Sequence, residues 1–282
     1  MRKLALLLSL VATTASAEVR SATFRSDGAG RDVRYVVDLP PSYATGDRRY
    51  PVVYALHGLF EDSSFWEGRG LAALLAEQRR AGAVRDFILV GVDGDNSFFV
   101  NHPGGRYQDL VTRDLVGHVD ATYRTIARRE SRGLWGVSMG GYAALRIALG
   151  EPDRFAAVVT HSAMILTRPP TAAEGAGRFH MTAFHRVFGD PIDPQRWAAA
   201  DPLALAETAD PKRVPALSLD CGARDRYGLA AGHRELERRL RARGIEARVE
   251  TPPGDHGYEY VRTVFAKGMA FLSERLAAGA RR

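Results

Sequence analysis

The stretch Gly136-Val137-Ser138-Met139-Gly140-Gly141 constrains this chain more than any other. Before it, Arg132 to Val137 is an apolar run short enough for a buried strand. After it, Gly141 to Leu149 is rich in helix formers. A strand that turns at once into a helix must hold its turn residue in a strained backbone. Side chains two positions to either side of Ser138 would then collide with the neighbouring strand and helix, which is the reason for Gly136 and Gly140. Gly141, Ala143 and Ala144 keep the first helical turn thin enough to lie close to a sheet.

The rest of the chain supplies that sheet. Tyr50 to Leu56 and Phe87 to Val92 are nearly continuous apolar runs, as parallel strands covered on both faces require. Phe155 to Thr160 and Val214 to Asp220 repeat the pattern, and Ala247 to Glu250 is a short final strand. Arg31 to Pro40 alternates, which predicts an antiparallel edge strand. Helices are predicted over Leu71 to Ala81, Tyr107 to Ala127, Leu229 to Arg243 and Tyr258 to Ala277. Strands alternating with helices predict a single α/β domain over residues 18–282, with a mostly parallel central sheet and helices on both faces. The rhythm breaks over about 162–211, a stretch of prolines, glycines and aromatics that reads as a small helical cap insertion.

Residues 1–17 read as a signal peptide. Arg2 and Lys3 form the basic start, Leu4 to Val11 the apolar segment, and Ala15-Ser16-Ala17 the cleavage site, with a mature start near Glu18. The apolar run is too short to span a bilayer, so no transmembrane segment is expected. The chain is expected to be exported, to a periplasm or the medium. Cys221 is the single cysteine, which excludes an intrachain disulfide. The net charge is +6, and of the basic residues only Lys3, Lys212 and Lys267 are lysines. The arginines are scattered rather than clustered, so no nucleic-acid partner is expected. Composition leaves the oligomeric state open.

A serine hydroxyl needs a base, and the base an orienting acid. Among folds with a serine in such a strand–turn–helix, the chain order is serine, acid, histidine. Of eight histidines, only His233 and His256 follow an acid at a strand end beyond Ser138. His233 lies mid-helix beside Arg234 and Glu235 and reads as a solvated surface residue. His256 lies in a glycine-flanked loop, Pro253-Gly254-Asp255-His256-Gly257, and is the candidate base. Asp220 ends its strand, whereas Asp225 sits in the loop beyond and can turn toward the histidine. Asp225 is therefore the candidate acid, and Asp220 reads as a loop-capping carboxylate. For an oxyanion hole, the N–H of Met139 stands at a helix N-terminus. The N–H of Leu59 is the second candidate, in the turn Leu56-His57-Gly58-Leu59-Phe60. His57 reads as a brace for that loop at the edge of the substrate pocket. Phe98 and Phe99, in the loop after Val92, are assigned to the same pocket as an apolar wall.

With these pieces placed, the sequence resembles the esterase D / S-formylglutathione hydrolase-like branch of the α/β-hydrolases, with its tributyrin-type esterase, feruloyl esterase and antigen 85 mycolyltransferase relatives. The resemblance covers roughly residues 20–277. It rests on Leu56-His57-Gly58, on Asp114 to Thr125, on Gly136 to Tyr142, on Cys221-Gly222 to Asp225, and on Gly254-Asp255-His256. It implies Ser138 as nucleophile, Asp225 as acid and His256 as base, with no metal and no cofactor. Many relatives place Asp and Trp directly after the histidine, where this chain has Gly257 and Tyr258. The expected activity is an exported serine carboxylesterase for short acyl or aryl esters, the substrate being a small molecule or a carbohydrate-linked ester. The alternative is an acyltransferase of the mycolyltransferase type, passing the acyl group to an alcohol or sugar.

Overall fold

The computed structural model describes residues 18–171, 173 and 180–280. The expected signal peptide, residues 1–17, lies outside them, as do residues 172 and 174–179 of the expected cap. Eight strands form one sheet: β1 (Glu18–Ser26), β2 (Arg31–Leu39), β3 (Val52–Leu56), β4 (Ile88–Val92), β5 (Arg132–Val137), β6 (Ala157–His161), β7 (Ala216–Asp220) and β8 (Ala247–Glu250). Their spatial order is β1-β2-β4-β3-β5-β6-β7-β8. The β1–β2 and β2–β4 pairs are antiparallel, and every pair from β4 to β8 is parallel. The alternating strand Arg31–Leu39 is not the edge. It lies between β1 and β4, and β1 takes the edge.

Besides a single turn at Phe65–Gly68, the helices among the described residues that matter here are α1 (Leu71–Arg80), α2 (Tyr107–Asp109, a π-helical stretch Leu110–Leu115, then Val116–Thr122), α3 (Met139–Gly150), α4 (Met181–Phe188), α5 (Pro194–Ala200), α6 (Pro202–Thr208), α7 (Ala230–Ala242) and α8 (Tyr258–Ala280). The long helix predicted to Ala127 stops five residues early, because Tyr123 is extended (φ −116°, ψ 161°).

Strand side chains alternate between two cores. Tyr54, Leu56, Val90 and Leu134 pack with Leu115, Tyr142 and Leu145 on one face. Val53, Ala55, Leu89 and Trp135 pack with Leu71, Leu75, Phe265 and Met269 on the other. Because both faces are covered, the central strands are apolar throughout. The sheet thereby presents the carboxyl ends of β3, β5, β6 and β7 side by side, where ligands of open α/β sheets bind. Between β6 and β7 the chain leaves the sheet and forms α4, α5 and α6. Asp193 caps α5 by accepting the N–H groups of Gln195 and Arg196, and Asp201 caps α6 through that of Leu203. The Tyr142 hydroxyl of α3 donates to the Ala200 carbonyl at 2.7 Å, tying these helices to the elbow helix.

Candidate active site

Ser138 sits between β5 and α3 with φ 54° and ψ −113°. Such backbone costs a non-glycine residue about 1–3 kcal/mol and persists only where its surroundings enforce it. Here the Ser138 N–H donates to the His161 carbonyl at 3.0 Å, and its carbonyl accepts from Tyr142 N–H (2.9 Å) and Met164 N–H (3.0 Å). A Cβ on Gly140 would lie 2.0 Å from the Leu56 carbonyl oxygen, and one on Gly136 would lie 2.3 Å from that of Gly140. Both glycines are sterically required.

From Ser138 a hydrogen-bond chain runs across the strand ends. Ser138 Oγ lies 3.1 Å from His256 Nε2, and His256 Nδ1 lies 2.8 Å from Asp225 Oδ2. Asp225 follows β7 in its loop, and its Oδ1 accepts from Tyr227 N–H at 3.0 Å. Burial pushes the Asp225 carboxyl up. The hydrogen bond and charge of His256, with the backbone N–H groups of Tyr227 and Leu229, outweigh burial and hold it below the usual carboxylate range. The acid is thus ionised and oriented on the imidazole. His256 lies in the loop before α8, pinned through Asp255. That carboxylate accepts the N–H groups of His256 (2.6 Å) and Arg226 (2.8 Å) and pairs with the Arg226 guanidinium. The Arg226 bond, then the His256 N–H, lower it to about 2. The Tyr227 ring meets the imidazole edge-on at 4.7 Å.

Asp220 serves other partners. It accepts from His161 Nδ1–H (2.8 Å) and the Tyr260 hydroxyl (2.7 Å), while Trp135 Nε1–H donates to His161 Nε2 (3.0 Å). It is a half-buried tie between strand β6 and helix α8 rather than a loop cap. His233 is fully buried, not solvated. Its Nδ1–H donates to the Leu229 carbonyl at 3.0 Å, and burial lowers its pKa. Its helix, α7, buries Leu229, His233, Leu236 and Leu240, whose spacing marks one face. Cys221 lies with Sγ 3.6 Å from Asp225 Oδ2, and burial pushes its thiol up.

The turn after β3 stands beside Ser138. His57 is buried, and burial keeps its imidazole neutral. Its Nδ1–H donates to the Gly58 carbonyl (2.7 Å) and its Nε2 accepts from Gly94 N–H (3.0 Å). Among the described residues neither Leu59 N–H nor Met139 N–H has a protein acceptor. A cavity of about 260 Å³ opens over Ser138 and His256. Glu61, Arg69, Tyr227 and Tyr258 line it together with Phe60, Met164, His180 and Phe184.

His57, Phe98 and Phe99 do not form its wall, and their assignment to the substrate pocket is corrected. Both phenylalanines have left-handed backbone (φ 53° and 50°), which turns their rings into the core. Phe98 packs on Phe184, Phe188 and Tyr142, and Phe99 packs on His57. Beyond Ser138, His256 and the Leu59 turn, the lining residues carry no common mark in the sequence, because they come from separate segments: Phe60, Glu61, Tyr227 and Tyr258 lie within two residues of Leu59, Asp225 or His256, whereas Arg69, Met164, His180 and Phe184 lie far from any assigned residue. Among the described residues no group of three or more His, Cys, Asp or Glu side chains is placed to hold a metal ion.

This strand order, with a strained serine after β5 and an acid and a histidine after β7 and β8, defines an α/β-hydrolase. More narrowly, the chain belongs to the Esterase family, whose model matches residues 26–272. It is 28% identical over 254 residues to an esterase of Mycobacterium tuberculosis, covering 83% of this chain and 54% of that protein. The chain thus spans about half the length of that curated relative. It is 24% identical to the S-formylglutathione hydrolase of Paracoccus denitrificans, covering 89% of this chain and 91% of the relative. A solved ferulic acid esterase superposes with a TM-score of 0.78 at 22% identity, covering 93% of this chain and 99% of its own.

Proposed function

We propose that this chain is an exported serine carboxylesterase acting on short acyl or aryl esters. The observation that carries the reading is the hydrogen-bond chain Ser138 Oγ–His256–Asp225 on the floor of a 260 Å³ cavity. In this scheme Ser138 Oγ attacks the ester carbonyl carbon and its proton passes to His256 Nε2. The carbonyl oxygen becomes an oxyanion that accepts the Leu59 and Met139 N–H groups. Collapse breaks the bond to the alcohol oxygen, which leaves with the proton from His256. Water then attacks the acyl-enzyme, gives its proton to His256, and the acid departs as Ser138 recovers its hydrogen.

The cavity size favours short chains and single rings, and Phe60, Phe184 and Met164 supply an apolar wall. The segment 162–211 is read as a cap, since His180 and Phe184 from it reach the cavity. The family membership and the sequence start at residues 1–17 support ester hydrolysis and export respectively.

The test is a p-nitrophenyl ester series from acetate upward, with a methyl hydroxycinnamate, run with and without a sugar acceptor. Short esters should be hydrolysed, a fluorophosphonate should label the enzyme, and Ser138→Ala should abolish both. Unchanged hydrolysis by Ser138→Ala would sink the nucleophile assignment, and a dominant transfer product would replace hydrolase by acyltransferase. Mass spectrometry of protein recovered from outside the cytoplasm should show an N-terminus near Glu18.

A further inference from the structure

The Leu59 turn is held by a carboxylate that the scheme above does not use. Glu61 is largely buried, with 11% of its side chain exposed. Its Oε2 accepts the Gly58 N–H (3.1 Å) and the Tyr258 hydroxyl (2.7 Å), and its Oε1 accepts Arg69 Nε–H (2.8 Å). Arg69 lies over the Tyr258 ring at 5.0 Å, and the Arg69 carbonyl accepts from the Arg262 guanidinium. Three backbone groups of the turn are thereby held. Gly58 N–H goes to Glu61, the Gly58 carbonyl to His57, and Phe60 N–H to Asn96 Oδ1 (2.7 Å). Leu59 N–H is left free between them. It belongs to the same peptide as the Gly58 carbonyl, so holding that carbonyl aims the N–H the opposite way.

The arrangement carries an electrostatic problem. A Cβ built on Gly58 would lie 3.1 Å from Glu61 Oε2 and 3.8 Å from Ser138 Cβ, so the carboxylate oxygen and the serine side chain both lie within 4 Å of one point beside Gly58. A negative charge there opposes an oxyanion developing on Ser138, and in a partly dry cavity that opposition is strong. Arg69 stands on the other oxygen of the same carboxylate.

We propose that Glu61 is a positioning residue that sets the Leu59 N–H for the oxyanion, and that Arg69 neutralises Glu61 so that it can do so without repelling the charge it helps to place. The proposal rests on the ester-hydrolysis reading. It makes the pair effective in the transition state rather than in substrate binding, which places its effects in kcat.

The experiment measures kcat and KM for p-nitrophenyl acetate in the parent, Glu61→Ala, Glu61→Gln, Arg69→Met and the double variant Glu61→Gln/Arg69→Met, with melting curves for each. Loss of one oxyanion donor costs about 10²–10³ in kcat, so its misplacement in Glu61→Ala should cost roughly 10- to 100-fold with KM little changed. Glu61→Gln keeps an acceptor for Gly58 N–H and should recover most of that loss. Arg69→Met leaves the carboxylate unneutralised and should lower kcat, and the double variant should be faster than Arg69→Met alone. A double variant no faster than Arg69→Met overturns the charge argument. A Glu61→Ala defect confined to KM, or no defect at all, overturns the positioning role. Should Glu61→Ala fail to fold, the folded Glu61→Gln and the Arg69 pair decide. A parent protein that hydrolyses esters while the series is flat refutes this proposal alone, whereas an inert, unlabelled parent refutes the hydrolase reading beneath it.

Discussion

Ser138 and His161 are joined through the backbone, the N–H of the first donating to the carbonyl of the second at 3.0 Å. The His161 ring is in turn clamped between Asp220 and Trp135, so the left-handed backbone of Ser138 leans on a strand that is fixed by its own side chain. Asp220→Asn should weaken this clamp, because an amide cannot accept from both His161 and Tyr260 without turning its NH₂ on one of them. We expect a loss of about 1–3 kcal/mol in urea unfolding, with ester hydrolysis reduced less than about 10-fold. A larger kinetic loss at unchanged stability would show that Asp220, not Asp225, serves the base.

Asp225→Asn should behave in the opposite way. The amide can no longer fix the Nδ1–H tautomer of His256, and by analogy with the same change in a chymotrypsin-type triad kcat should fall by about 10⁴. Circular dichroism and melting should show a folded protein. Steady-state kinetics on p-nitrophenyl acetate would check this.

The same carboxylate predicts a pH dependence of stability. Its folded-state pKa lies below the unfolded value of about 3.9. Folding therefore favours the ionised form, and the stability it contributes is complete above the unfolded value and is lost as pH falls through the folded one. The gap in melting temperature between the parent protein and Asp225→Asn should narrow as pH is lowered from about 6 to 3. A gap independent of pH would contradict the lowered pKa.

Gly140→Ala should be among the most damaging single changes in the chain. The added Cβ meets the Leu56 carbonyl oxygen at 2.0 Å, and neither partner is a side chain that can swing away. Unfolding should show a loss above about 3 kcal/mol, or no folded protein. Gly150→Ala, with nothing within 4 Å of the new Cβ, is the matched control and should fall within about 0.5 kcal/mol of the parent.

Phe60 is 60% exposed at the rim of the cavity, with its ring 4.4 Å from that of His180. An aromatic contact with a bound aryl ester would be worth about 0.5–1.5 kcal/mol, so Phe60→Ala should weaken such substrates by roughly 2- to 10-fold relative to acetate esters. Its exposure means that unfolding should change by less than about 0.5 kcal/mol. Equal effects on aryl and acetate esters would place the ring outside the substrate's path.

Much of the fold could be read from the sequence because its glycines and apolar runs report local demands. Gly136 and Gly140 bracket Ser138 for a steric reason that a short window contains. The serine–acid–histidine order then singled out Asp225 and His256, which the structure brings into one hydrogen-bond chain. His233 was misplaced although its signal was present. Its neighbours Arg234 and Glu235 suggested solvent, but Leu229, Leu236 and Leu240 put it on the buried stripe of α7.

Other features had no local signature. Nothing in the side chains of Phe98 and Phe99 announces a positive φ, so a loop that looked like a pocket wall turned its rings into the core. Glu61 and Tyr258 stand 197 residues apart, and only the assembled sheet brings them to one hydrogen bond.

That sheet also sets a timetable. His256 follows Ser138 by 118 residues and reaches it only after β6, β7 and β8 have been laid down beside the elbow. On the proposed triad, a chain emerging from synthesis holds its serine long before it holds the imidazole, and it should stay inert toward esters until the loop before α8 docks. On that reading the order of strands in the sheet acts as a built-in delay, in which reactivity waits for the last strands to be placed.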